Sequence, residues 1–270
     1  MAQFRKDTHQ YLPQETTIFE VVMLADQYGN LVGPANPSGT SVDAFGRARM
    51  STPLTLFDSS HRYQDNGKFY NSNSAVSSTV TYDTNASVVS LNITNTANSY
   101  AYRESSRVFS YQPGKSLLIL NTFCMAPAQT GLRQRVGYFG SQNGVYLELD
   151  GSIVNFVVRS FSSGVLTEER VAQSSWNTDK LDGTGPSLLT LDISKVQIFW
   201  TDIEWLGVGS VRCGFVINGQ FIHCHSFHHA NLIGTTYMTT ACLPLRYEIE
   251  NTNSMANNAT MNLICSSVMS

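Results

Sequence analysis

Four histidines fall within seven residues of this chain, in Phe221-Ile-His223-Cys224-His225-Ser-Phe-His228-His229. On a strand, side chains alternate between faces, so His223 and His225 would share one face and Cys224 the other. Two imidazoles on one face could open a zinc or nickel site, with His228 or His229 folding back from the following loop. No residue elsewhere nominates itself as a further ligand. The alternative is that these rings close the end of a hairpin by bonding carbonyls or carboxylates, or line an interface in an oligomer. A second cluster is Trp200-Thr-Asp202-Ile-Glu204-Trp205. Carboxylates at i and i+2 share a strand face, the placement that sets a nucleophile and an acid on either side of a glycosidic bond. Trp200 and Trp205 could equally serve as stacking platforms for a sugar ring, or be core, with the acids solvated or paired to arginine. Glu148 and Asp150 also share a face, but they abut a turn and read as solvated. There is no G-x-S-x-G elbow and no glycine-rich phosphate loop. No catalytic residue and no cofactor are expected.

The composition narrows the partners. Of 270 residues only 14% are charged, against 42% hydrophobic, and the formal net charge is -3. A surface solvated by Ser, Thr, Asn and Gly suits a β-rich protein, since bundle helices need Glu, Lys and Arg on their wet faces. The balance removes the electrostatic case for nucleic acid. No run approaches the roughly 20 apolar residues of a spanning helix, so membrane insertion is not expected. The start Met1-Ala-Gln-Phe-Arg-Lys-Asp lacks a signal-peptide pattern, which gives an expectation of synthesis and assembly in a cytoplasm. Five cysteines, an odd number without C-x-x-C spacing, read as buried small hydrophobes rather than a disulfide framework.

The elements that would position these residues are strands. Val89, Leu91 and Ile93 alternate with Ser90, Asn92 and Thr94, the period of a half-buried strand, within a stretch otherwise rich in Ser, Thr and Asn. Residues 116–124 are β-compatible. Residues 144–149 and 152–159 flank Asp150-Gly151, and residues 210–217 and 220–225 flank Asn218-Gly219, two hairpin signals of type I′. Residues 195–206, 243–249 and 261–265 supply further strands. No segment carries a capped 3.6-residue period. Long strands, tight turns and no covering helices predict an all-β antiparallel β-sandwich of jelly-roll or concanavalin-like lectin type. It is expected over residues 71–270, behind an extended N-terminal arm over residues 1–70. In that arm Thr17–Leu24 reads as a strand, Asp26–Asn30 as a turn and Gly33–Gly39, with two prolines, as a loop.

The segment Asp43-Ala-Phe-Gly-Arg-Ala-Arg-Met-Ser-Thr-Pro-Leu-Thr-Leu-Phe-Asp58 resembles the A-F-G-R-x-R-x-S-x-P-x-T-L-F-D stretch of virion structural proteins of tailed phages, those of marine cyanobacteria above all. Phe45, Gly46, Arg47, Arg49, Pro53, Leu56, Phe57 and Asp58 match, whereas Ala48 departs from the commoner bulky residue. Residues 200–231, with an N-G-Q-F turn and an H-H-A-N ending, are similar to the same group. The resemblance implies a non-enzymatic virion component: a capsid decoration, head-fibre, or tail or baseplate protein that assembles with other virion proteins. Homo-oligomers, trimers among them, follow from that class. The residues agree with docking: Arg47 and Arg49 point one way and could engage acidic groups on a neighbour. Phe45, Arg47, Arg49 and Phe57 are therefore the candidate docking residues, with Leu54, Leu56 and Phe57 expected to insert toward a core; the alternative is an ordinary edge strand with two surface arginines. The Asp202 and Glu204 pair also resembles the Glu-x-Asp-x-Glu signature of β-jelly-roll laminarinases and lichenases. Here Trp200 stands where that family has its nucleophile, and an indole cannot replace it. The alternative to virion assembly is thus a lectin-like host-adhesion module that binds a surface glycan through Trp200, Trp205 and polar loops such as residues 177–180.

Overall fold

Apolar residues at every second position need a partner surface, and the strands of this chain find it in each other. The computed structural model describes residues 54–253 and 255–270, together with a small antiparallel pair, β1 (Leu24–Ala25) and β2 (Leu31–Val32). That pair brackets residues 26–30, where the sequence predicts a turn. The strands that follow are β3 (Thr55–Ser60), β4 (Tyr70–Ala75), β5 (Thr79–Asp83), β6 (Val88–Ile93), β7 (Tyr100–Ser105), β8 (Phe109–Ser110) and β9 (Leu117–Cys124). Next come β10 (Leu132–Phe139), β11 (Gly144–Asp150), β12 (Ile153–Ser160) and β13 (Thr167–Ala172), then β14 (Gln197–Ile203), β15 (Val211–Ile217) and β16 (Gln220–Phe227). The chain closes with β17 (Cys242–Leu243), β18 (Leu245–Asn251) and β19 (Ala259–Met269). One 3₁₀ turn, Gln173–Ser175, is the sole helical piece among the described residues.

Two antiparallel sheets form the sandwich. One has seven strands in the order β13-β12-β11-β10-β18-β7-β4; the other has eight, β16-β15-β14-β9-β19-β6-β5, with β3 beside β19. Their facing residues make one core. In it Phe156 of the first sheet stacks on Trp176 at 4.2 Å and on Phe199 of the second at 5.7 Å. Each such ring stabilises the fold by about 2–3 kcal/mol through area removed from water. Val89, Leu91 and Ile93 are buried, as their alternation predicts, and so are Cys213 and Cys224. The all-β lectin-type sandwich expected from patterning is the architecture observed.

The turns carry the chemistry that the sequence announced, with one shift. Asn218 and Gly219 both take positive φ (53° and 76°) between Ile217 and Gln220, as a type I′ hairpin requires. At the other tip Asp150 pairs with Ile153, so Gly151 is the first central residue; it has φ 59° while Ser152 has none, the pattern of a type II′ turn.

Two expectations change. The sandwich begins at β3, which pairs Ser60 with Cys265 and Phe57 with Val268, so residues 55–70 are not arm. Phe57 is core, packed at 5.1 Å on Phe109 and edge-on to Tyr70, and its ring is not available for docking. Phe45, Arg47 and Arg49 lie outside the described residues.

Candidate functional site

The solvent side of the seven-stranded sheet carries charge on nearly every strand. Register places Arg135 of β10 opposite Glu148 of β11 and Glu248 of β18, while Arg246 of β18 faces Glu104 of β7. Arg135 Nε donates to Glu148 Oε2 at 3.0 Å, and Arg170 Nε of β13 donates to Glu148 Oε1 at 2.8 Å. Arg135 also holds Glu248 and Glu250, and Arg133 holds Glu250 at 2.6 Å. Arg246 bridges Glu104 at 2.7 Å and Glu248 at 2.8 Å. Arg159 of β12 donates to Glu168 Oε1 at 2.8 Å, Tyr146 Oη does the same at 2.8 Å, and Arg170 takes the other oxygen. Five arginines and five glutamates thus form a connected lattice across six strands, of zero net charge.

The middle of the lattice is closed to water: Glu148 is fully buried and Arg135 is 6% exposed. Tyr146 lies between Arg159 and Arg135, 5.1 Å and 5.7 Å from their guanidinium carbons, and Arg246 sits 3.9 Å over the Tyr102 ring. Burial alone would raise the Glu168 carboxyl. Hydrogen bonds from Tyr146 and Arg159 and the charges of Arg159 and Arg170 outweigh it and hold the group down to about 2. Glu248 is likewise pushed up by burial but brought below its ordinary value by Arg135 and Arg246. A general acid needs the opposite, a carboxyl kept protonated near neutral pH. The sequence reading of Glu148 as a solvated turn residue is corrected: it is the most enclosed member of the lattice. The rest of the lattice was legible only as alternation, in Arg133-x-Arg135, Arg246-x-Glu248-x-Glu250 and Glu168-x-Arg170.

Beside this face lies a cleft of about 320 Å³. It opens where edge strand β13 and the end of β12 meet the loop that follows β16. Val158, Ser160, Thr167, Glu168 and Glu169 line one side, and His229, Ile233, Thr235, Thr236 and Tyr237 the other. Asn143 ties the two sides together, its Oδ1 accepting from the amides of Phe161 and Thr239.

The predicted site residues take other roles. Trp200 is 5% exposed; its Nε1–H is shared between the carbonyls of Phe215 (3.3 Å) and Ile222 (3.2 Å), under Phe221 and His223. It is no stacking platform. Trp205 donates to the Met238 carbonyl at 3.2 Å and lies edge-on to Tyr111, so it anchors the cleft loop from behind. Asp202 is buried and ion-paired with Arg212, and Glu204 is buried as well.

The histidines do not share a face, because the β15–β16 ladder slips between Cys213 and Gly214 and leaves Cys224 as an extra residue. His223 therefore lies against Trp200 on the outside, while His225 packs on Phe156 and Phe227 inside. One nitrogen of each ring has a protein partner: His223 Nε2 with Ser226 Oγ at 2.9 Å, His225 Nδ1 with the Asn177 amide at 3.2 Å, and His228 Nδ1 with Ser210 Oγ at 3.1 Å. His229 Nδ1 donates to the Gly209 carbonyl at 2.6 Å. Burial lowers His223 and His225 to about 4. Among the described residues no three of His, Cys, Asp and Glu come together as metal ligands would.

No protein-family model and no curated protein matches the sequence. Solved structures do match in fold. A glycosyl hydrolase family protein from Mycobacterium fortuitum gives a TM-score of 0.55 at 9% identity, over 80% of this chain and 99% of that one. Bacillus licheniformis β-glucanase gives 0.52 at 12% identity, over 82% and 99%. The Bacteroides ovatus mixed linkage glucan GH16 protein, solved with a product, gives 0.50 at 10% identity, over 79% and 99%. At such identities the likeness is one of fold: this chain is a jelly-roll, lectin-like β-sandwich.

Proposed function

We propose that the chain is a non-enzymatic virion protein of a tailed phage, in which the lectin-like sandwich is the body and residues ahead of β3 dock on a neighbouring virion protein. The observation that carries the non-enzymatic part is the arginine lattice. Glu104, Glu148, Glu168, Glu248 and Glu250 are each held by at least one guanidinium, and Asp202 by Arg212. No carboxyl of this set is positioned to give up a proton or attack a sugar carbon. What remains is a neutral set of arginines and glutamates that bond one another, of which Arg133, Arg170, Glu104 and Glu250 keep the most contact with solvent. The segment at residues 43–58 supports the virion assignment, and Arg47 and Arg49 are its contact residues. The test is incorporation: the double variant Arg47→Glu, Arg49→Glu should enter particles at less than a tenth of the wild-type level while folding normally by circular dichroism. Incorporation at wild-type level would refute the docking role.

A second reading, recognition of a host glycan, is favoured by the cleft and by fold relatives that include a β-glucanase and a protein solved with a glucan product. On this reading the virion displays the sandwich to a surface saccharide.

A further inference from the structure

The cleft between β13 and the loop after β16 has a hydrogen-bonding polarity that restricts what can enter it. Glu169 pairs with Val158 in register, so its side chain leaves β13 on the core side, at the open edge between the two sheets. It is exposed and, unlike Glu168 next to it, has no ion-pair or hydrogen-bond partner among the described residues. Thr235 and Thr236 face it across the cleft with hydroxyls that make no hydrogen bond among the described residues, and Ser160, Ser162 and Thr167 add three more hydroxyls. Val158, Ile233 and Tyr237 supply an apolar wall.

His229 forms part of that wall, stacked at 4.0 Å and 4° on Tyr237. Because a carbonyl can only accept, the 2.6 Å bond to Gly209 fixes the proton on Nδ1 and leaves Nε2 a bare lone pair. That Nε2 is buried and has no partner. An orphaned buried acceptor costs about 1–3 kcal/mol and calls for an explanation. The wall that holds it is rigid: Asn143 clamps Thr239, and Trp205 clamps Met238.

We propose that this cleft binds a neutral saccharide, with Glu169 accepting from vicinal hydroxyls, Thr235 and Thr236 completing the polar contacts, and a C–H face of the sugar resting on Ile233. The inference deepens the glycan reading above and rests on it. Glu169 can only accept, so the ligand must bring donors to it. One unpaired carboxylate beside a lattice-locked Glu168 is too little charge for a polyamine, and the apolar wall fits a pyranose face.

The test uses the full chain labelled with ¹⁵N at histidine and the methyl glycosides of glucose, galactose, mannose and N-acetylglucosamine as probes, followed by saturation-transfer and histidine-ring NMR. The expected result is saturation transfer to at least one glycoside, a change in the His229 ring resonances with those of His223 unchanged, and about tenfold weaker binding in Glu169→Gln. Glycoside binding with His229 undisturbed and Glu169→Gln unaffected would overturn this site while leaving glycan recognition standing. No transfer to any glycoside would overturn both. Displacement of a bound glycoside by putrescine at equal concentration would overturn the neutral-ligand assignment.

Discussion

Single residues in this molecule are decided by what a buried charge or ring nitrogen finds opposite it. Glu148 is fully buried, with one arginine on each oxygen. Removing one side of such a pair leaves the other charge stranded, at about 3–5 kcal/mol. Glu148→Gln should therefore lower unfolding stability by about 3 kcal/mol in urea, with an unchanged m-value. Exchange of a surface carboxylate such as Asp83→Asn should cost under about 0.5 kcal/mol. The imidazoles give a pH signature. His223 and His225 take a proton near 6.5 when unfolded but only near 4 when folded. Between those values the unfolded state binds more protons, so stability falls as pH drops from 6.5 to 4, by on the order of 2 kcal/mol per ring. Glu168 extends the loss at lower pH: its contribution is whole above its ordinary 4.5 and disappears toward about 2. Thermal unfolding scanned from pH 7 to 3 checks this, and His223→Gln with His225→Gln should flatten the upper part of the curve.

Elements explain which of these residues meet. The type I′ hairpin at Asn218-Gly219 was legible because the positive φ it needs is a property of those two residues alone. The all-β sandwich was legible because period two survives in β6, β9 and β18. The start of the sandwich was not, because β3 is defined by β19, some two hundred residues later, and short-range pattern cannot see that pairing. Nor was the β15–β16 slip, which turns His225 inward and separates it from His223. The slip leaves Gly214 beneath Trp200: a Cβ there would stand 2.0 Å from the Ile222 carbonyl oxygen and 2.8 Å from Trp200 Nε1. Gly214→Ala should thus cost about 2–3 kcal/mol by overpacking and red-shift tryptophan fluorescence as Trp200 is pushed toward water. A neutral effect on both would place the strands differently.

At the scale of the whole molecule, two sheets bury the apolar residues against each other, and among the described residues five arginines and five glutamates gather on one outer face, where they neutralise each other. The net charge of -3 over 270 residues hides that arrangement, and from sequence only the i, i+2 spacing of arginines and glutamates hinted at it. On that face each of the five glutamates is held by at least one guanidinium. That is the property on which the proposed role in a particle depends. For that proposed role, the most direct test is quantitative mass spectrometry of gradient-purified particles from an infection by a tailed phage whose genome carries this sequence. The account predicts the chain in fixed stoichiometry with the known capsid or tail proteins. Its absence from particles, with the protein left in the lysate supernatant, would contradict it.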